Sequence, residues 1–156
     1  MNAPDVVRSA YAQLAVTDLG AARWFWVDML GFHVQYEDPG TLCLRGTDEL
    51  THHSLVLRRG DLAALDHIAY RVRTPEDVDK AEKFFTELGR PVRRVVKGEG
   101  TPGIGDAVRV VDPLCFPVEF FYDIARAERL IQRYDIRRGA EIARLDHFNI
   151  CTPDIP

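Results

Sequence analysis

The chain repeats itself, and the repeat limits what it can fold into. Residues 11–34 read YAQLAVTDLGAARWFWVDMLGFHV and residues 67–92 read HIAYRVRTPEDVDKAEKFFTELGRPV. Each copy passes from an alternating stretch through a Thr or Asp helix start and helical spacing to Leu-Gly, then returns to β-type sequence. A strand–helix–strand unit cannot bury its apolar faces alone, so the copies must share a core. In the second copy Thr74 is the N-cap, Pro75 fits the first helical position and Asp77 completes a capping-box pair. Val78, Ala81, Phe84, Phe85 and Leu88 share one face, and Gly89 supplies the left-handed stop. In the first copy Asp18 caps, Ala22, Phe25, Trp26, Met29 and Leu30 form the face, and Gly31 stops the helix.

Short β-rich runs follow each helix: Thr41–Arg45 and His53–Leu57, then Val92–Val96, Ala107–Val111 and Val118–Tyr122. Turn residues separate them, including a loop from Lys97 to Gly105 with four glycines. The pattern predicts an α+β fold of paired βαβββ modules over residues 6–123, a mixed, curved sheet around a cavity with helices outside. Ile124 to Arg137 has helical spacing, with Ile124, Ala127, Leu130, Ile131 and Tyr134 on one face, and predicts a connecting helix within a linker over 124–141. The repeat then starts a third time at Asp146-His147-Phe148-Asn149-Ile150-Cys151-Thr152-Pro153-Asp154. Residues 142–156 therefore read as the first strand of a further, truncated domain, and the chain as a piece of a longer protein.

Twenty Lys and Arg against 24 Asp and Glu leave a net charge of −4, which does not suit a polyanion binder. No apolar run approaches the ~18 residues of a membrane span, and Met1-Asn2-Ala3-Pro4-Asp5 lacks the basic start of a signal peptide. Cys43, Cys115 and Cys151 form an odd set without Cys-x-x-Cys, as expected of reduced thiols in a cytoplasmic protein. Gly98, Gly100, Gly103 and Gly105 mimic a phosphate loop but precede β-type sequence, so a hairpin loop is expected. No Gly-x-Ser-x-Gly occurs, which argues against a serine nucleophile.

Strand parity picks out the candidates. If Ile68, Tyr70 and Val72 face a helix, His67 and Arg71 face the concave side, where Glu119 can join them. In the third start, Phe148 and Ile150 pack while His147 and Asn149 point into the next cavity. Two His and a carboxylate on one concave sheet are the donors of a facial Fe(II) or Mn(II) site. His52-His53 opens a strand with no Cys or carboxylate at metal spacing, so a capping or core role is expected.

The repeated unit, the Asp-His strand start and the ending Asp112-Pro113-x-x-x-Pro117-x-Glu119-Phe120-Phe121 resemble the vicinal oxygen chelate superfamily. More narrowly, four stretches resemble the type I extradiol ring-cleavage dioxygenases of the homoprotocatechuate (3,4-dihydroxyphenylacetate) family. They are His52–Leu57, Arg71–Glu82, Gly103–Val110 and Arg144–Asn149. The resemblance implies O2-dependent extradiol cleavage of a catechol at non-haem Fe(II) or Mn(II), in a homo-oligomer, within aromatic catabolism. It implies that this N-terminal domain is a metal-free copy and that the family's first metal-binding His falls on His147, with the other ligands beyond Pro156. It places Asn149 beside the metal or substrate. The matching ligand positions of the first domain read Tyr11, His67 and Glu119. With His53 or water they form an alternative metal site, as in a glyoxalase- or resistance-type isomerase or lyase. A non-catalytic binding or scaffold domain is the third reading. Cys115 stands where the family's turn commonly has Gly, which predicts strain if its φ is positive.

Overall fold

The computed structural model describes residues 2–151. Its centre is one eight-stranded mixed sheet. The strands are β1 (Val6–Val16), β2 (His33–Asp38), β3 (Thr41–Arg45), β4 (Leu55–Arg59), β5 (Ala64–Val72), β6 (Val92–Val95), β7 (Ala107–Val111) and β8 (Pro117–Phe121). Their order, β2-β3-β4-β1-β5-β8-β7-β6, is two four-stranded halves meeting at β1 and β5. Within each half the first strand pairs parallel with the last, β1 with β4 and β5 with β8; the halves join through antiparallel β1–β5. This is the paired βαβββ arrangement that the repeat predicts.

Helix α2 (Pro75–Glu87) lies over the second half and buries Val78 and Ala81 against Val72, Val108, Val118 and Phe120. At its start the Asp77 carboxylate accepts from the Thr74 backbone N–H at 3.1 Å and from Lys80 Nζ at 2.7 Å. Lys80 foremost holds that carboxyl down to about 2. Helix α1 (Leu19–Arg23) covers the first half but widens at once into a π-helical stretch, Trp24–Met29, where Leu30 N–H donates to Phe25 carbonyl oxygen at 3.0 Å. The extra residue per turn rotates the face away from the periodicity of the sequence. Val27 is therefore buried, whereas Phe25 and Met29, assigned to the core by helical spacing, are nearly half exposed. Gly31 and Gly89 end the helices at φ +84 and +68.

The connecting helix predicted from Ile124 does not form. Its backbone groups find distant partners: His52 N–H donates to Ala125, Ala125 to Gly103, Ala127 to Leu50 and Leu130 to Thr47. These bonds strap the segment along residues 47–52, and only a short 3-10 turn, Tyr134–Ile136, remains helical. An isolated helix of that length is marginal in water, so long-range partners prevail over local periodicity. Ile124 and Leu130 stay buried, but Ile131 and Tyr134 face outward. Residues 142–151 form no strand, and 152–156, the rest of the predicted third start, lie outside the described residues.

The chain next crosses the end of the α1 region. Ala140 N–H donates to Met29 and Ile142 N–H to Leu30, while Thr47 and Asp48 N–H donate to Ile142 and Ala143. Leu145 N–H ends on the buried Glu49 carboxylate at 3.1 Å. The backbones approach so closely that a Cβ on Gly46 would sit 2.2 Å from Ala143 carbonyl oxygen. Gly46→Ala should therefore lower stability by about 1–3 kcal/mol, read as a lower urea midpoint, and an unchanged midpoint would show that this crossing is not held.

Candidate functional site

Strand parity brings the candidate residues to the sheet face opposite the helices. Tyr70 and Val72 pack with α2, while Tyr11, Cys43, Val56, Ala69 and Phe121 form the core of the other face. Register fixes the cross-strand line: Tyr11 opposes Ala69, Ala69 opposes Glu119, and Glu119 opposes Arg109. Gln13 opposes His67 one step along the same face. All of Tyr11, Gln13, His67 and Glu119 are buried.

These side chains form one hydrogen-bonded network. Tyr11 Oη donates to Glu119 Oε1 and lies 3.0 Å from His67 Nε2. Glu119 Oε2 accepts from Arg109 Nε at 2.6 Å and lies 3.6 Å from His67 Nε2. His67 Nδ1 meets Asp66 Oδ2 at 2.8 Å, and Gln13 Nε2 donates to the same oxygen at 2.6 Å. Thr101, from the glycine-rich loop, donates to Gln13 Oε1 at 3.0 Å. Burial first, then the Glu119 charge, pushes the Tyr11 phenol well above its ordinary value, so it stays protonated and serves as donor. The hydrogen bond from His67 foremost holds the Asp66 carboxyl below its usual range.

The three donors of the alternative metal site, Tyr11, His67 and Glu119, do converge, and an Asp behind the His is the arrangement of a ligating imidazole. The rest does not fit a divalent cation. Both Glu119 oxygens are engaged, and a cation there would face the Arg109 guanidinium, half-buried beside it. As they stand, the donors are satisfied without one. His147 is 73% exposed at its side chain, 3.7 Å from Asp146, and with Asn149 it lines a groove of about 440 Å³ against Leu14, Trp26, Ile68 and Phe116. Among the described residues it gathers no second ligand; the one cluster of His, Cys and acidic groups within ligand reach is Cys43, His52 and His53.

Arg109, Gln13 and Thr101 escape sequence reasoning. The signal for Arg109 is a lone charge between Val108 and Val110 in an otherwise apolar strand; its partner needs the β7–β8 register. Arg71, the other concave-face candidate, donates to Tyr122 carbonyl oxygen and stacks on that ring. Cys115 has φ +66 in a turn that the Asp112 carboxylate holds by accepting from Leu114 and Phe116 N–H.

Among known proteins, the family described as Glyoxalase/Bleomycin resistance protein/Dioxygenase superfamily matches residues 8–120. A manganese-dependent 2,3-dihydroxybiphenyl 1,2-dioxygenase of Geobacillus genomosp. 3 is 30% identical over 95% of this chain and 49% of its own length. A metapyrocatechase of Geobacillus stearothermophilus is 23% identical over 95% of this chain and 47% of its own. The chain thus spans about half the length of these relatives. Of solved structures, homoprotocatechuate 2,3-dioxygenase from Arthrobacter globiformis superposes with TM-score 0.93 at 54% identity, covering 97% of this chain and 47% of that one. The Brevibacterium fuscum enzyme, in its anaerobic complex with 3,4-dihydroxyphenylacetate, gives 0.92 at 55% over the same shares. No helix among the described residues is long and apolar enough to cross a membrane.

Two outcomes test the network. Removing the Glu119 charge would strand Arg109, so Glu119→Gln should destabilise by about 3–5 kcal/mol in urea unfolding; a loss below 1 kcal/mol, on the order of an exposed pair, would show the ion pair to be loosely solvated. His53 supplies the pH signature. Burial above all, then the charges of His52 and His67, lower its pKa from 6.5 to about 3. Between those values the unfolded chain takes up a proton that the folded chain refuses, so His53 makes stability fall as pH drops from 6.5 towards 3 and has no effect above that window. Unfolding of wild type and His53→Gln at neutral pH and at mid-window should show the smaller loss in the variant.

Proposed function

Because the chain belongs to the Glyoxalase/Bleomycin resistance protein/Dioxygenase superfamily, we propose that it forms the N-terminal part of an extradiol dioxygenase. The longer protein would cleave a catechol, 3,4-dihydroxyphenylacetate as first choice, with O2. What carries this reading is the likeness to the homoprotocatechuate 2,3-dioxygenases, above half identity and nearly as long as the chain. In that reaction a non-haem Fe(II) or Mn(II) ion supplies chelation of both ring hydroxyls and an electron path to O2. The manganese dependence in one relative's name keeps Mn(II) beside Fe(II).

In this reading residues 6–123 are the copy of the module pair without the catalytic metal. Residues 124–141 are the linker and 142–156 begin the catalytic domain. His147 is one metal ligand, presented at the mouth of the groove, and Asn149 sits on the substrate side. The Tyr11–His67–Glu119–Arg109 network serves the architecture, since both Glu119 oxygens and the inner His67 nitrogen are already engaged within it. The protein works in the cytoplasm as a homo-oligomer; in the single chain Arg129, Arg133 and Arg138 are paired to Asp48, Asp135 and Asp28.

In the full-length protein, His147→Ala should abolish both stoichiometric metal and oxygen uptake on 3,4-dihydroxyphenylacetate, while His67→Ala keeps both. Loss of the metal in His67→Ala, with His147→Ala unaffected, would transfer the centre to the first domain and put the isomerase or lyase reading in its place.

A further inference from the structure

Cys43, His52 and His53 form a cluster that the proposed function leaves unused. The sequence offers His52-His53 no cysteine at metal spacing, but antiparallel β3–β4 pairing brings one. Cys43 opposes Val56 just beyond the pair, and one ligand atom from each of the three residues lies within 4.8 Å of the others. Cys43 and His53 are fully buried. His52 is half-buried and packs against Gly103, where a Cβ would stand 2.8 Å from its ring. The two imidazoles meet Nδ1 to Nδ1 at 2.9 Å, so a single proton serves that contact. His53 Nε2 is buried with no hydrogen-bond partner. A buried polar atom left in that state is uncommon and unfavourable.

We propose that Cys43, His52 and His53 bind one soft monovalent cation, Cu(I), through a thiolate and two imidazoles. Sulfur with imidazole nitrogen selects Cu(I) or Zn(II) among the available metals. Charge decides between them. Cu(I) with one thiolate is neutral and suits a dry pocket, whereas Zn(II) would leave a net positive charge there. Zn(II) also demands a fourth ligand, and among the described residues no further His, Cys or carboxylate joins the cluster. The unpartnered, buried His53 Nε2 is a ring nitrogen with no competing contact. Binding breaks the Cys43 S–H bond, forms an S–Cu bond and releases one proton to solvent, with no change of oxidation state. Bonds of about 2.0–2.3 Å set neighbouring donors about 3.5 Å apart, so binding breaks the 2.9 Å contact between the two imidazoles and the rings re-aim towards the cation.

The test uses the chain carrying Cys115→Ser and Cys151→Ser, which removes the exposed thiols. Anaerobic titration with Cu(I) against a chromophoric chelator should show one equivalent bound, one proton released and a thiolate-to-copper band in the near ultraviolet. Adding Cys43→Ser should weaken binding by more than about a hundredfold and abolish the band. Circular dichroism reports whether that variant folds. His52→Ala, at the half-exposed ring, provides an independent arm and should weaken binding at least about tenfold. Unchanged affinity in either folded variant overturns the site, and displacement of Cu(I) by an equal concentration of Zn(II) overturns the metal assignment.

Discussion

The antiparallel pairing of β1 with β5 is the joint on which the rest of the molecule depends. Each half of the sheet has its own helix and apolar layer, so the layers on the helix side remain separate clusters. On the other face, by contrast, a single core takes residues from both halves: Tyr11, Cys43 and Val56 from the first, Ala69, Ala107 and Phe121 from the second. That core exists only while β1 and β5 keep their register. A slip of one residue would turn one half over relative to the other and leave Tyr11 on the opposite face from His67 and Glu119.

The polar network reinforces that register. An apolar face tolerates small displacements, but buried groups that must each find a partner do not. Gln13 reaches Asp66 and His67 reaches Tyr11 across the joint, while Glu119 carries the chain of contacts to β7. Tyr11, His67 and Glu119 are thus spent on holding the two halves of the sheet together. Arg109 neutralises the Glu119 charge from the neighbouring strand.

Much of this was legible in the sequence, for reasons that differ from residue to residue. Thr74, Asp77 and Gly89 act through bonds a few residues long, so their roles can be read locally. The inward position of His67 and Glu119 follows from period-two alternation in short, strongly apolar strands. The face of α1 departs from helical spacing because a π-helical stretch carries no distinct periodicity over six residues. The segment after Ile124 departs from its helical periodicity because its hydrogen-bond partners, Thr47, Leu50, His52 and Gly103, are all far upstream in the chain. Cys43 beside His53, and Arg109 beside Glu119, are products of strand pairing, and no spacing rule along the chain anticipates them.

The crossing of residues 138–145 over the end of the α1 region has a further consequence, in dynamics. The amides of Thr47, Asp48, Ala140 and Ile142 all depend on the same backbone contact, so they form one unit of local opening. Fraying of the first helix at Met29 or Leu30 would free that unit as a whole. The segment bearing His147 would then lose its bearing on the sheet, although no residue near His147 had moved first. Hydrogen exchange in this chain should follow that strap across two distant stretches of sequence, not the boundaries of its helices and strands.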